Sequence, residues 1–230
     1  MNQRLSRLCT LMQFSDSAFP VGTFSFSNGL ETAQFEGIVR DADTLRQFAR
    51  SIARQAASSD AVAALHAFRA AQRGDYDQIA LADRYLMLFK LNDEARLMLQ
   101  RMGKKLAELA HRLFPSEAGD RWLADINAGT VPGSYPVAQG IAFHAAGLEE
   151  TDLFASLMFG AVNMVLGAAL RCVRVSHYDT QSILLELSAD VPRLYDEVAP
   201  LGLDEMNSFV PQIDIFASLH EKGNMRMFMS

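Results

Sequence analysis

The sequence predicts an all-α fold: residues 1–230 as one domain, a globular bundle of roughly ten helices around a central apolar helix. Three observations carry this. Apolar residues recur at spacings of three and four along most of the 230 residues, the period of a helix with one buried face. Alternating β-branched runs between turn signals are missing, and the nearest, Val173–Val175, is too short for a strand. Residues 153–170, LFASLMFGAVNMVLGAAL, carry no charge over 18 positions.

The opening residues, MNQRLSRLCTLMQF, are broken by Arg4, Arg7 and Gln13 and read as no secretory signal. Two cysteines, Cys9 and Cys172, make no disulfide framework and suit a reducing compartment. The expected location is the cytoplasm. Next comes FPVGTFSFSNGLE (19–31), in which Pro20 and Gly22 hold a bend and Ser27 or Asn28 caps a helix starting near Gly29. After Asp41 or Asp43, the positions Leu45, Phe48, Ile52 and Ala56 form one helical stripe. Asn92 caps another, with Leu99, Met102, Leu106, Leu109 and Leu113 inward and Arg101, Lys104, Lys105, Glu108 and Arg112 on the polar side. Gly37, Gly74, Pro115, Gly129–Gly133, Gly147, Pro192, Pro200–Gly202 and Pro211 end segments. The charge-free run stands at the lower edge of transmembrane length, but Ser156, Gly160, Asn163 and Gly167 interrupt it and basic residues flank only one end. It reads as the buried centre of a helical domain, with Gly160 and Gly167 admitting a close neighbouring helix. Asp179 caps the apolar helix of Ile183, Leu184 and Leu187, and Ile215, Phe216 and Leu219 mark one face of the last helix. Beyond Gly223 lies a short apolar tail, expected to be flexible over 223–230.

Composition and motifs exclude more chemistry than they suggest. A net charge of −6 and a pI near 5.4 argue against nucleic acid, whose binders carry a basic face. Around Ser27 and Gly29, Ser25 replaces the first glycine of a G-x-S-x-G elbow, and no parallel sheet supports a nucleophile there. MLQRMGKK (98–105) has the Gly-Lys of a phosphate loop, but Met98 replaces its first glycine and Lys105 its Ser or Thr, inside a helix. Lys104 and Lys105 read as a solvated face. His66, His111, His144, His177 and His220 form no metal-ligand pair.

What remains suits contact with other proteins. The aromatic loop either plugs the core or presents Phe24, Ser25 and Ser27 to a partner. SHYDTQ (176–181) leaves His177, Tyr178 and Gln181 available. Met225, Met227, Phe228 and Met229 form an adaptable apolar surface of the kind methionine-rich binding sites use. A rival reading is a helical enzyme with a pocket near Ser25, Ser27 and Glu31.

LMQFSDSAFPVGTFSFSNGLETA (11–33) resembles the amino-terminal signature of the UreF family of urease accessory proteins. Glu94-x-Arg96 with Gly103–Lys104–Lys105, Tyr135–Pro136–Val137–Ala138, Asp179-x-Gln181, and His220–Glu221 with Arg226-x-Phe228 and Ser230 resemble its further anchors in order. Phe24 stands where the family often has Tyr, Ser176–His177 where Gly-Gln is common, and Gly223–Asn224–Met225 where Leu-Tyr-Ser is common. The resemblance implies a non-catalytic, all-α, dimerising chaperone needed for nickel insertion into urease. It implies assembly with UreD (also called UreH), the GTPase UreG and apo-urease. Contacts are expected at Phe24, Ser25, Ser27, Glu31, His177, Gln181, His220, Glu221, Arg226 and Phe228. No cofactor is expected to be bound tightly by this chain, nickel and GTP being handled with the partners, and neither nucleic acid nor membrane is an expected partner. Activation of the GTPase by an arginine, Arg226 or Arg96, is the alternative within the family reading.

Overall fold

Side-chain caps set five of the helix starts among the described residues. The structure is a computed structural model that describes residues 2–16, 18–22, 26–208, 210–220 and 227–228. Helices α1 (Asn2–Ser15), α2 (Leu30–Phe35), α3 (Ala42–Ala56), α4 (Val62–Arg73), α5 (Tyr76–Leu88) and α6 (Asp93–Leu113) lead into α7 (Glu117–Ala128) and α8 (Tyr135–Ala145). The chain continues through α9 (Glu150–Cys172), α10 (His177–Ser188), α11 (Val191–Val198) and α12 (Pro211–His220). A π turn, Ala57–Ala61, runs α3 into α4, and a 3-10 turn spans Leu203–Glu205. No strand occurs among the described residues.

Asp41, not Asp43, caps α3, accepting from the Thr44 N–H at 2.9 Å while Thr44 reaches back. Asn92 Oδ1 accepts the Ala95 N–H at 2.7 Å and starts α6. Two expected caps fall elsewhere. The N-cap of α10 is Ser176, and Asp179 stands three residues inside, its carboxylate returning to the Ser176 N–H. The N-cap of α2 is Gly29, in a left-handed conformation with no side-chain bond, because Asn28 and Gly29 both take positive φ and turn their side-chain positions away from the helix start.

The buried stripes follow the spacing. Leu45, Phe48, Ile52 and Ala56 of α3 are all buried, as are Leu99, Met102 and Leu106 of α6; Leu109 is half-buried and Leu113 exposed. At the centre is α8, buried continuously from Pro136 to Phe143 and packed against α4 and α6. Backbones touch there. A Cβ on Gly103 would lie 2.0 Å from the Gly133 carbonyl oxygen, and one on Gly140 2.5 Å from that of Ala64. Asp83, fully buried on α5, accepts the Gly133 and Ser134 N–H groups at 2.7 and 2.9 Å, closing the start of α8. Arg69 of α4 donates twice to Glu150 of α9 at 2.7 and 2.6 Å, and Tyr195 of α11 donates to the same carboxylate at 2.7 Å.

The charge-free run lies within α9, the one helix among the described residues long and apolar enough to cross a membrane, with a mean hydropathy of 2.0 and 56% of its apolar window buried. Its glycines do not serve as expected. Among the described residues a Cβ on Gly160 or Gly167 would meet nothing within 4 Å, so no described helix crosses closely there. That face instead lines a cavity of about 640 Å³ with Met98 and Met102 of α6 and Gln139 of α8. On α12 the stripe is also displaced: Ile213 is buried and Phe216 half-buried, while Ile215 and Leu219 are about half exposed.

Candidate partner-binding site

The aromatic loop is anchored before it reaches α2. Phe14 at the end of α1 meets Phe143 at 4.6 Å and Phe19 at 5.3 Å between ring centroids. Val21 and Phe26 are buried, so the described part of the loop does plug the core. Asp16 accepts the Ala18 N–H at 2.8 Å, which tightens the turn. Ser27 is fully buried and its carbonyl accepts the Leu30 N–H at 3.1 Å. The side-chain amide of Asn28 donates to the Met164 sulfur at 3.5 Å. These contacts fix α2 against α9, with Glu31 half-buried in its first turn.

The far end of the chain arrives at that helix. Glu31 accepts the backbone N–H of Met227 at 2.8 Å and that of Phe228 at 3.2 Å. The Phe228 ring is buried, with the Arg171 guanidinium carbon 4.0 Å from its centroid, a cation over a ring face. The adjacent Cys172 thiol is pushed up to about 11, first by burial and then by the Glu31 charge. Phe228 therefore has a seat within the chain that its place in an apolar tail did not suggest. Around this corner, α12 packs on α2, and Phe35 (84%), Met227 (58%), Ile215 and Leu219 stand exposed.

Of the ten expected contact residues, Glu31 and Phe228 are brought together across 197 positions. His177 and Gln181 are exposed on α10, beside Tyr178 and Leu185, which are 87% and 77% exposed. Ser27 offers no accessible surface. Phe24, Ser25, Glu221 and Arg226 lie outside the described residues, as does the side chain of His220. Arg171 was not among the sequence candidates. A lone cation at a helix end is common, and no spacing links it to a phenylalanine 57 positions later.

For the rival enzyme reading, Ser27 and Glu31 line no pocket with a histidine among the described residues, and Ser25 lies outside them. Among the described residues lining the 640 Å³ cavity there is no histidine, and neither Ser27 nor Glu31 reaches it. No group of three or more His, Cys, Asp or Glu side chains that could hold a metal ion occurs among the described residues. An apolar corner left exposed on a helical chain is the kind of surface found at protein interfaces. The UreF family model matches residues 39–188. The chain is 45% identical over 226 residues to urease accessory protein UreF 2 of Brucella canis, covering 98% of this chain and 93% of that protein. It is 45% identical over the same length to UreF 1 of Brucella melitensis, and 42% identical over 224 residues to the UreF of Yersinia enterocolitica, with 97% and 98% of the two chains covered in the latter case. The chain belongs to the UreF family, non-catalytic urease accessory proteins involved in urease maturation.

Proposed function

We propose that this chain, acting as one unit over residues 1–230, is the adaptor that joins UreD/UreH, the GTPase UreG and apo-urease during nickel insertion. The carrying observation is the corner where Glu31 holds the backbone of Met227 and Phe228 beside exposed Phe35, Ile215 and Leu219. Exposed apolar clusters of this kind mark protein interfaces, and this one combines two segments of the family signature. UreD/UreH is assigned to it, with buried Ser27 supporting the turn before α2 and Phe24, Ser25, His220, Glu221 and Arg226 proposed as further contacts. The outer face of α10, with His177, Tyr178, Gln181 and Leu185, is assigned to a second copy of the chain in a homodimer. Nickel and GTP belong to the partners in this reading, and the assembly works in the cytoplasm.

Co-purification with UreD, with and without UreG, tests the reading. Phe228→Ala should reduce UreD capture strongly, because the buried ring, whose burial contributes about 1.5–3 kcal/mol, holds the tail against α2 and so keeps Met227 in the exposed corner. Wild-type protein that captures no UreD at micromolar concentration would overturn the assignment. Isothermal calorimetry on the lone chain should show no sub-micromolar binding of nickel or GTP.

A further inference from the structure

The outer face of α6 stands apart electrostatically. Leu97, Arg101, Lys104, Lys105, Glu108 and Arg112 succeed one another at helical spacings opposite the buried Met98, Met102 and Leu106. From Arg96 to Arg112 the helix carries five cations against one carboxylate, in a chain whose net charge is −6. The four cations of the stripe are exposed, and among the described residues only Lys105 pairs with a carboxylate, Glu108 at 3.3 Å. Five arginines on other helices are paired. Arg7, Arg46, Arg50, Arg69 and Arg193 each reach an acidic side chain. The stripe is also held rigidly, because the backbone of α6 at Gly103 lies against that of Gly133 and fixes which way Lys104 and Lys105 face.

A second feature adjoins it. At the α5–α6 corner Leu88 and Leu91 are 72% and 66% exposed, and Leu97, in the second turn of α6, is 44% exposed. Large aliphatic side chains this open, next to a row of cations spanning about 16 Å of helix at 1.5 Å per residue, make a surface with an apolar end and a basic run.

We propose that this face of α6 and the leucine corner dock an acidic segment of a protein partner in the assembly proposed above, on which this inference rests. An apolar side chain of the segment covers Leu88, Leu91 and Leu97, and its carboxylates lie along Arg101, Lys104 and Arg112. A protein fits better than the other polyanions. Residues 91–113 include no Phe, Tyr or Trp on which a base would stack, and the overall negative charge opposes a long nucleic acid. A membrane-surface helix inserts its apolar face, whereas that of α6 is spent on the bundle core.

The test uses the full chain and compares wild type with R101E/K104E/R112E, and with the milder R101Q/K104Q/R112Q, in titrations against purified UreD, UreG and apo-urease. Unchanged melting curves are expected, with affinity for one of the three falling on the order of tenfold or more, chiefly through association at low salt. A Leu91→Ser variant should weaken the same partner through dissociation. If wild type binds partners and both charge variants bind all of them equally well, the docking surface is overturned while the adaptor reading stands. If wild type binds none of the three, the adaptor reading fails, and an acidic leucine-bearing peptide titrated against wild type and the charge-reversed chain then decides the surface alone. Binding to phosphatidylserine vesicles or RNA that the variants lose, with protein binding intact, would also overturn it.

Discussion

The start of α8 and the corner of α2 and α12 handle backbone donors in the same way, yet they leave opposite surfaces. In both, one carboxylate accepts two successive N–H groups: Asp83 those of Gly133 and Ser134, Glu31 those of Met227 and Phe228. Around Asp83 the helices close with backbone against backbone and α8 buries eight consecutive residues. Around Glu31 the closure is partial, with Phe228 inside and Phe35, Met227, Ile215 and Leu219 left out. The same local chemistry serves a closed core in one place and an open apolar corner in the other. The difference lies in what the neighbouring helices cover.

Substitutions can break that contrast, and the largest effect belongs to the core. Gly103→Ala places a methyl 2.0 Å from the Gly133 carbonyl oxygen, so backbone must move and the loss should reach about 3 kcal/mol or more, read in a denaturant melt. Asp83→Asn keeps one acceptor and turns an amide N–H towards the second donor. It should cost about 1–3 kcal/mol for the buried group left unpaired. Its pH dependence sharpens the point. Burial holds the Asp83 carboxyl above the ordinary carboxylate range, against the pull of its two N–H bonds. The folded chain therefore keeps this proton at pH values where the unfolded chain, with a pKa of about 3.9, has lost it. Its contribution to stability falls as pH rises from that value to the raised one, and is level above. The wild-type advantage over Asp83→Asn should shrink across that window in paired melts.

Smaller effects are expected on the open side. Gly160→Ala adds a methyl with no neighbour within 4 Å and should stabilise α9 by about 0.5–1 kcal/mol, the helix preference of Ala over Gly. A measured loss would mean that a helix approaches this face after all. Phe35→Ser should change stability by no more than about 0.5 kcal/mol, as for other surface sites, while weakening UreD capture. A large loss of stability there would make the corner core rather than surface.

Helix periodicity, the Asp41 and Asn92 caps and the burial of Leu45, Phe48, Ile52, Met102 and Leu106 could be read from the residues in order, because they depend on neighbours three or four positions away. The loop plug at Val21 and Phe26 was one of the two readings the residues allowed, as aromatic and aliphatic side chains in a constrained loop seldom remain in water. Other features required the packed chain. Whether Gly160 faces a helix or a cavity, and whether Ile215 points inward, depends on how far neighbouring helices reach, which no local spacing encodes. The meeting of Glu31, Arg171 and Phe228 depends on it most. It joins three distant segments through one carboxylate, one guanidinium and one ring, and each alone is an ordinary residue in an ordinary helix or tail. Residue pattern determined that the chain folds as helices and what its family signature is. Only tertiary packing decided which apolar side chains were left over for a partner, because exposure is a property of what the rest of the chain covers.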